Sequence, residues 1–222
     1  MTQADLEANE AIHGILSRAF PDDAILSEET RDSPERLAAE RLWVIDPLDG
    51  TKEFIQAIPE FAVSIGLTLR GVPVVGVIYQ PLTRECFWGA RGAGAHVDEE
   101  RVRISRTERL EDAVVFSSRT EMGRGQMDPY KEMFKEIRPV GSVALKLALI
   151  AAGRGDLWIS AAPKSEWDVC GGDLLVREAG GTFVTLENGE RVYNQTDILL
   201  QPLMAAGPEK LVANFRERSV SS

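Results

Sequence analysis

The segment Leu42-Trp43-Val44-Ile45-Asp46-Pro47-Leu48-Asp49-Gly50-Thr51 restricts the fold more tightly than any other. Four consecutive large apolar residues read as a strand buried on both faces. Two carboxylates three residues apart follow that strand, and its end fixes the first of them, Asp46. Pro47 stiffens the turn and withholds one backbone donor, so carbonyls are left to point inward. Gly50 lets the backbone approach a ligand closely, and the amides of Gly50 and Thr51 open a helix start suited to a phosphate. Two carboxylates at ~4 Å repel by about 4 kcal/mol at an effective dielectric near 20 unless a cation or a proton intervenes. Oxygen ligands from Asp46, Asp49 and the Leu48 carbonyl suit a hard cation such as Mg²⁺. Either aspartate taken singly reads equally well as a helix cap; the pair is harder to explain that way.

The rest of the chain supplies an α/β frame. Apolar residues at helical spacing predict a helix over 6–19, begun by the capping pair Thr2 and Asp5 and stopped by Phe20-Pro21-Asp22-Asp23. A short strand at 24–26 follows, then a charged stretch at 30–41 with Pro34 that reads as a solvated loop or an irregular helix. Strands are expected at 61–69, 72–79 and 85–90, a turn at 91–94, and a further strand at 114–117. The second half alternates: helices at 130–137, 143–152 and 169–179, strands at 157–159, 182–186 and 203–206, and a terminal helix at 208–216. Gly153 and Gly180-Gly181 end two of the helices. Short connections between strands and helices imply a layered α/β architecture with mixed sheets. A Gly- and charge-rich stretch at 118–127 divides the chain into lobes 1–118 and 119–222, expected to form one compact catalytic unit.

Composition narrows the partners. The 222 residues carry 25 basic and 35 acidic side chains, a net charge of −10. That balance argues against nucleic-acid polymers and anionic membranes, which require a basic face. No apolar run approaches the ~20 residues of a membrane span, and the first residues lack the pattern of a signal peptide. Cys86 and Cys170 sit in apolar segments and read as buried thiols of a reducing compartment, so a cytoplasmic protein is expected. His13 falls mid-helix and His96 in a turn-rich region, so neither presents itself as an acid or base.

Two further acidic groups fit the metal reading. Glu28 follows a short strand in Ser27-Glu28-Glu29, and Asp168 stands in Glu166-Trp167-Asp168 at the start of a helix. Taken alone, the first is usually solvated surface and the second an N-cap. An aspartyl-phosphate scheme of the haloacid dehalogenase type needs Asp-x-Asp; the extra residue in Asp46-Pro-Leu-Asp49 redirects the second carboxylate, so that scheme does not fit. In order and spacing, Leu26-Ser-Glu28-Glu29, Asp46-Pro-Leu-Asp49-Gly-Thr51, Trp167-Asp168 and Glu178-Ala-Gly-Gly181 resemble the inositol monophosphatase superfamily of Mg²⁺-dependent, lithium-sensitive phosphatases. Thr2-Gln-Ala-Asp5 is similar to the family's Thr-x-x-Asp element.

The resemblance implies a layered αβαβα sugar-phosphatase-like fold and two or three Mg²⁺ per site. Glu28, Asp46 and the Leu48 carbonyl would hold one ion; Asp46, Asp49 and Asp168 would hold a second. Asp5 would stand beside Thr51, supporting a third, weaker ion or the attacking water. Thr51, bonded to Asp5 or Glu28, would orient that water, with no covalent intermediate. Crowded carboxylates imply raised pKa values in the metal-free site. The family usually carries a helical segment before Thr-x-x-Asp that is missing here, which implies either a truncated start or apolar surface covered by a partner in a homodimer.

The resemblance also implies a small phosphate ester as substrate. Asp49-Gly-Thr-Lys52-Glu53-Phe54, Gly141-Ser142-Val-Ala-Leu-Lys146, Lys164 before Asp168, and Tyr193-Asn194-Gln195 resemble the 3′(2′),5′-bisphosphate nucleotidase branch. On that resemblance Asp49, Gly50, Thr51, Ser142, Lys146, Lys164 and Asp168 line the substrate site, with the lysines meeting a second phosphate. Adenosine 3′,5′-bisphosphate is the expected substrate. The alternatives are an inositol-1-monophosphatase, a fructose-1,6-bisphosphatase-like sugar phosphatase, and a relative that binds phosphate without turnover.

Overall fold

The computed structural model describes residues 1–185 and 191–220. In chain order, α1 (Gln3–Ala19) is followed by β1 (Ala24–Ser27), β2 (Arg41–Asp49), α2 (Thr51–Ile55), β3 (Ala62–Leu69), β4 (Val72–Gln80), β5 (Glu85–Ala90), β6 (Gly94–Val97) and β7 (Glu100–Val102). Then come β8 (Val114–Ser117), α3 (Arg119–Gly123), β9 (Glu136–Pro139), α4 (Val143–Ala151), β10 (Leu157–Ser160), β11 (Lys164–Ser165) and α5 (Glu166–Glu178). The last elements are β12 (Thr182–Thr185), β13 (Leu199–Leu200), β14 (Met204–Gly207) and α6 (Glu209–Val220).

Two mixed sheets result. The first runs β1-β2-β3-β4-β5-β6-β7, antiparallel except for the β1–β2 pair; the second runs β12-β14-β10-β8-β9. The helices α4 and α5 lie between them, because the largest core cluster joins residues of both helices to residues of both sheets. On the outer face of the first sheet, α1 packs Leu16 on Trp43 and Ile45. On the outer face of the second, Leu211, Val212 and Phe215 of α6 cover Leu157, Ile159 and Ala205. The layers therefore run α-β-α-β-α. This explains the unbroken apolar run in β2: Trp43 and Ile45 face α1, Leu42 and Val44 face the central helices, so no position along it needs to be polar.

Several expectations change. The strand thought to stop at Asp46 continues through Asp49, with an irregularity in its pairing to β3 between those two residues. The helix expected at 130–137 is instead a 3₁₀ turn, Asp128–Met133, followed by β9 on the edge of the second sheet. Tyr130, Met133, Phe134 and Ile137 do pack together near α6; their spacing reported burial, while Pro129 and Pro139 shortened the helix. The turn-rich region around His96 holds β6 and β7, because left-handed Gly94 and Asp98 form tight turns that flank real strands. Cys86 is only half-buried, on the outer face of β5, whereas Cys170 is buried. The first sheet ends at Val102 and the second begins at Val114, so β8 belongs with the later residues, ahead of the division expected at 118. Leu186, expected to end a strand, lies outside the described residues. No described helix is long and apolar enough to cross a membrane.

The close seat of α5 on the first sheet depends on glycine. A Cβ built on Gly76 would stand 2.4 Å from the Gly171 carbonyl oxygen, and one on Gly66 would stand 2.7 Å from Cys170 Sγ. Gly76→Ala is expected to destabilise the protein by about 1–3 kcal/mol, the usual cost of overpacking a filled core. It should lower the midpoint of thermal unfolding by several degrees, since roughly 2–4 °C accompanies each kcal/mol in a chain of this size. Gly123→Ala, whose added methyl meets nothing within 4 Å, is the control and should leave that midpoint unchanged by circular dichroism.

Candidate active site

Side chains on a regular strand alternate between faces, so residues three apart point in opposite directions. Asp46 and Asp49 escape that rule. Asp46 pairs with Ser64 and Asp49 with Ala62, so three steps on β2 match two on β3. The extra residue is a bulge that returns both aspartates to the inner face. The Leu48 amide donates to Asp46 Oδ1 at 3.0 Å and fixes the first carboxylate inside the bulge.

Each remaining acid comes from a different element. Asp168 stands in the first turn of α5 and accepts the Ser165 amide at 2.8 Å. The seat of α5 against β3 and β4 brings it to the bulge: one carboxylate oxygen each from Asp46, Asp49 and Asp168 lie within 4.8 Å of one another. Glu28, on the turn after β1, is exposed as a residue, yet its carboxyl is within hydrogen-bonding reach of Asp46. Asp5, buried in the first turn of α1, accepts the Thr2 amide and takes the Thr51 hydroxyl at 2.9 Å. That hydroxyl also lies 3.1 Å from the Leu48 carbonyl oxygen. Of the two partners expected for Thr51, the structure supplies Asp5.

Asp49 is held from the far side by α4. Its Oδ2 accepts the Ser142 hydroxyl at 2.7 Å and the Ala144 amide at 2.5 Å. Ser142 also caps the helix by accepting the Leu145 amide, from a left-handed backbone at φ 52°. Its hydroxyl is engaged by Asp49 rather than directed at open space. Gly50, with φ 97°, starts α2; a side chain there would collide with the Glu60 carbonyl.

Electrostatics follows from this crowding. Burial first, then the charges of Asp49, Glu28 and Asp168, push the Asp46 carboxyl well above its ordinary range. Burial and the Asp49 charge raise Asp168 to about 7. Burial also raises Glu28, with Glu29, Asp49 and Asp5 adding to it. For Asp5 burial acts upward too, but hydrogen bonds from Thr2 and Thr51 prevail and hold it below the usual carboxylate range. Among the described residues no lysine or arginine forms an ion pair with Glu28, Asp46, Asp49 or Asp168, and a cluster whose donor atoms are all hard oxygens fits Mg²⁺ or a similar divalent ion.

A cavity of about 330 Å³ opens beside Asp49, lined among others by Lys52, Arg124, Lys146 and Lys164. Lys146 is buried on α4, its ammonium donating to the Val140 carbonyl at 2.9 Å, and burial lowers its pKa to about 8. Lys164 lies 3.3 Å from Glu121. Sequence reasoning passed over Glu121. It is buried and gathers the Ser117 and Ser160 hydroxyls, the Ala162 amide and Lys164, and its only sequence signal, Ser118-x-x-Glu121, spoke of a helix start. Tyr193, Asn194 and Gln195 are absent from the lining of this cavity. Tyr193 is buried against Asp173 instead, and its neighbours bond to Arg36 and Glu166.

Comparison with known proteins gives a consistent picture. The model of the inositol monophosphatase family matches residues 1–219. An inositol-1-monophosphatase of Mesorhizobium japonicum is 37% identical over 207 residues, covering 90% of this chain and 77% of that protein. A fructose-1,6-bisphosphatase/inositol-1-monophosphatase of Aquifex aeolicus is 33% identical, covering 82% of this chain and 71% of that protein. The crystal structure of extragenic suppressor protein suhB from Bartonella henselae superposes with a TM-score of 0.84 at 34% identity, over 98% of this chain and 83% of that one.

The raised carboxyl pKa values set a stability profile. Between the ordinary 3.8 of an aspartate and about 7, folded Asp168 holds a proton that the unfolded chain has released. Stability drawn from that proton is complete below the unfolded value and is lost as pH rises through the folded one. In chelator, the thermal midpoint is therefore expected to fall between about pH 4 and about pH 7 as the carboxylates ionise against one another. Excess Mg²⁺ should flatten the curve, and Asp46→Asn, with one charge fewer, should show a shallower decline in differential scanning fluorimetry.

Proposed function

The chain belongs to the inositol monophosphatase family of phosphatases, and from that premise we propose that it hydrolyses a small phosphate monoester with Mg²⁺ held by Asp46, Asp49, Asp168 and Glu28. The observation that carries the reading is the convergence of three aspartates from two distant parts of the chain, beside a threonine hydroxyl anchored on a buried carboxylate. Divalent ions bound there supply charge neutralisation at the phosphoryl oxygens and make water more acidic.

The side chains of this protein do the positioning. The amides of Gly50 and Thr51, at the start of α2 beside Asp49, would donate to the phosphate. Asp5, kept ionised by its hydrogen bonds, draws the Thr51 proton toward itself, so the hydroxyl lone pair is left to hold the attacking water. Glu28, exposed at the rim beside Asp46, is placed to exchange the proton with solvent. The Leu48 carbonyl, close to Thr51, completes the ligand set around Asp46. Ser142 acts through Asp49, holding that carboxylate in place.

The cavity beside Asp49 favours a substrate with a second anionic group, as in adenosine 3′,5′-bisphosphate cleaved at its 3′-phosphate. An ammonium has three donors, and the Lys146 contact to Val140 takes one of them; with Lys52, Arg124 and Lys164 it gives the cavity more cationic than anionic lining. Inositol 1-phosphate is the second reading, supported by the name of the Mesorhizobium relative.

Phosphate release from the two compounds, with Mg²⁺ and with chelator, tests both levels. Asp46→Asn is expected to fall to the level of the wild type in chelator; metal-independent turnover equal in both proteins would remove the catalytic assignment. Thr51→Val should lower kcat roughly 10²-fold, the scale of a lost proton-handling group, with little change in KM. Loss of a charged hydrogen bond in Lys146→Met should raise KM for the bisphosphate by roughly 10- to 100-fold and leave KM for inositol 1-phosphate almost unaltered. Because Lys146 is charged below about pH 8 and neutral above it, KM for the bisphosphate should rise above that pH. A clear preference for inositol 1-phosphate would select the second reading.

A further inference from the structure

Two of the acids at the site enter from opposite sides of the chain. Glu28 lies on the turn that leaves β1, and Asp168 lies at the start of α5. One side of the Glu28 turn is tied to α1 by Asn9, which accepts the Ser27 hydroxyl and donates to Thr30. The other side runs into a polar knot centred on a buried arginine. Arg36 is 4% exposed; its guanidinium binds Asp32 through two nitrogens, at 2.6 and 2.9 Å, and donates to Asn194 Oδ1 at 2.7 Å and the Gln195 carbonyl at 2.9 Å. Asn194 returns a bond from its side-chain amide to the Arg36 carbonyl at 2.9 Å.

The same short stretch grips the start of α5. Glu166, two residues before Asp168, is 0% exposed. Its carboxylate accepts the Asn194 amide at 2.8 Å, the Gln195 amide at 3.2 Å and the Arg191 guanidinium at 2.7 Å. Asn194 therefore faces two ways: its backbone holds Glu166 and its side chain holds Arg36. Its φ of 63° is left-handed, a conformation that asparagine tolerates better than most residues and glycine better still. The two buried charges, Arg36 and Glu166, are each held by several hydrogen bonds, and breaking one of them would leave a buried charge less well paired. The knot contributes no group to the carboxylate cluster, so its effect on the site is one of distance.

We propose that Arg36 and Asn194 are positioning residues for the divalent-ion site, fixing the Glu28 turn at a set distance from Asp168. The proposal rests on the metal reading given under Proposed function. Asn194→Gly separates the two roles of the residue, because it keeps the left-handed backbone and the bond to Glu166 while deleting the link to Arg36. Asn194→Asp retains an acceptor for Arg36, now charge-assisted, and gives up only the bond to the Arg36 carbonyl.

Calorimetric titration of MgCl₂ into the full chain, after chelator treatment, reads the affinity directly. Asn194→Gly is expected to bind Mg²⁺ roughly 10-fold or more weakly than the wild type, the scale of lost support around metal ligands. Asn194→Asp should return to within about twofold of the wild type, since a charged acceptor replaces the neutral one. Wild-type affinity in Asn194→Gly, or equal losses in both variants, overturns the proposal. If Asn194→Gly does not fold, Arg36→Lys, which cannot reproduce the planar fork, takes its place and should weaken Mg²⁺ in the same direction; unchanged affinity there overturns the proposal too. A wild type that binds no Mg²⁺ removes the metal reading itself, whereas a wild type that binds it beside unaltered variants removes only the role of the knot.

Discussion

Mutual repulsion among buried carboxylates is the constraint around which the rest of this protein is arranged. Asp46 is almost wholly buried and Asp168 half-buried, and their oxygens and those of Asp49 approach within 4.8 Å. Such a cluster opposes folding unless protons or cations neutralise it. The bulge in β2 creates the problem, since a regular strand would have sent Asp46 and Asp49 to opposite faces. The same bulge makes the site, because only on one face can the two aspartates share a ligand with Asp168.

Rigid surroundings hold the acids together. The Asp46 carboxylate is bonded within its own turn, and Asp49 is fastened to the amino end of α4, where backbone amides favour negative charge. Asp168 depends on distance: α5 lies against Gly66 and Gly76 with no room for a methyl group, and any wider separation would draw its carboxylate away from the strand. Packing between a helix and a sheet thus sets the geometry of a polar site. On the opposite side, the Thr51–Asp5 pair ties α1 and α2 together, so the Thr51 hydroxyl is as fixed as the carboxylates.

Charge is distributed with the same economy. Acidic groups concentrate at the bulge and cationic ones line the cavity next to it. On the function proposed above, a phosphate ester would bridge these two regions, with its phosphoryl end toward the carboxylates and any second anion toward the lysines. Glu121 tempers the cationic side: it is buried, ionised and surrounded by donors, and it orients Lys164 while cancelling part of its charge.

By itself the sequence determined much of the frame and the identity of the acids. The periodicities of α1, β3, β4, α4 and α5 follow from burial on one face, and that signal is local. Asp46, Asp49 and Thr51 were legible because a strand end, a proline and a glycine fall together. The failures at 130–137 and around His96 have a common cause: apolar spacing shows which residues are buried, and several backbones satisfy the same spacing. Tertiary structure alone decided the meeting of Asp168 with the bulge, the choice of Asp5 over Glu28 as the partner of Thr51, the use of Ser142 as a tether for Asp49, and the capture of Lys164 by Glu121. Each of these joins residues far apart in the chain, and their separation in space depends on how closely helices settle on sheets, which no short stretch of sequence encodes.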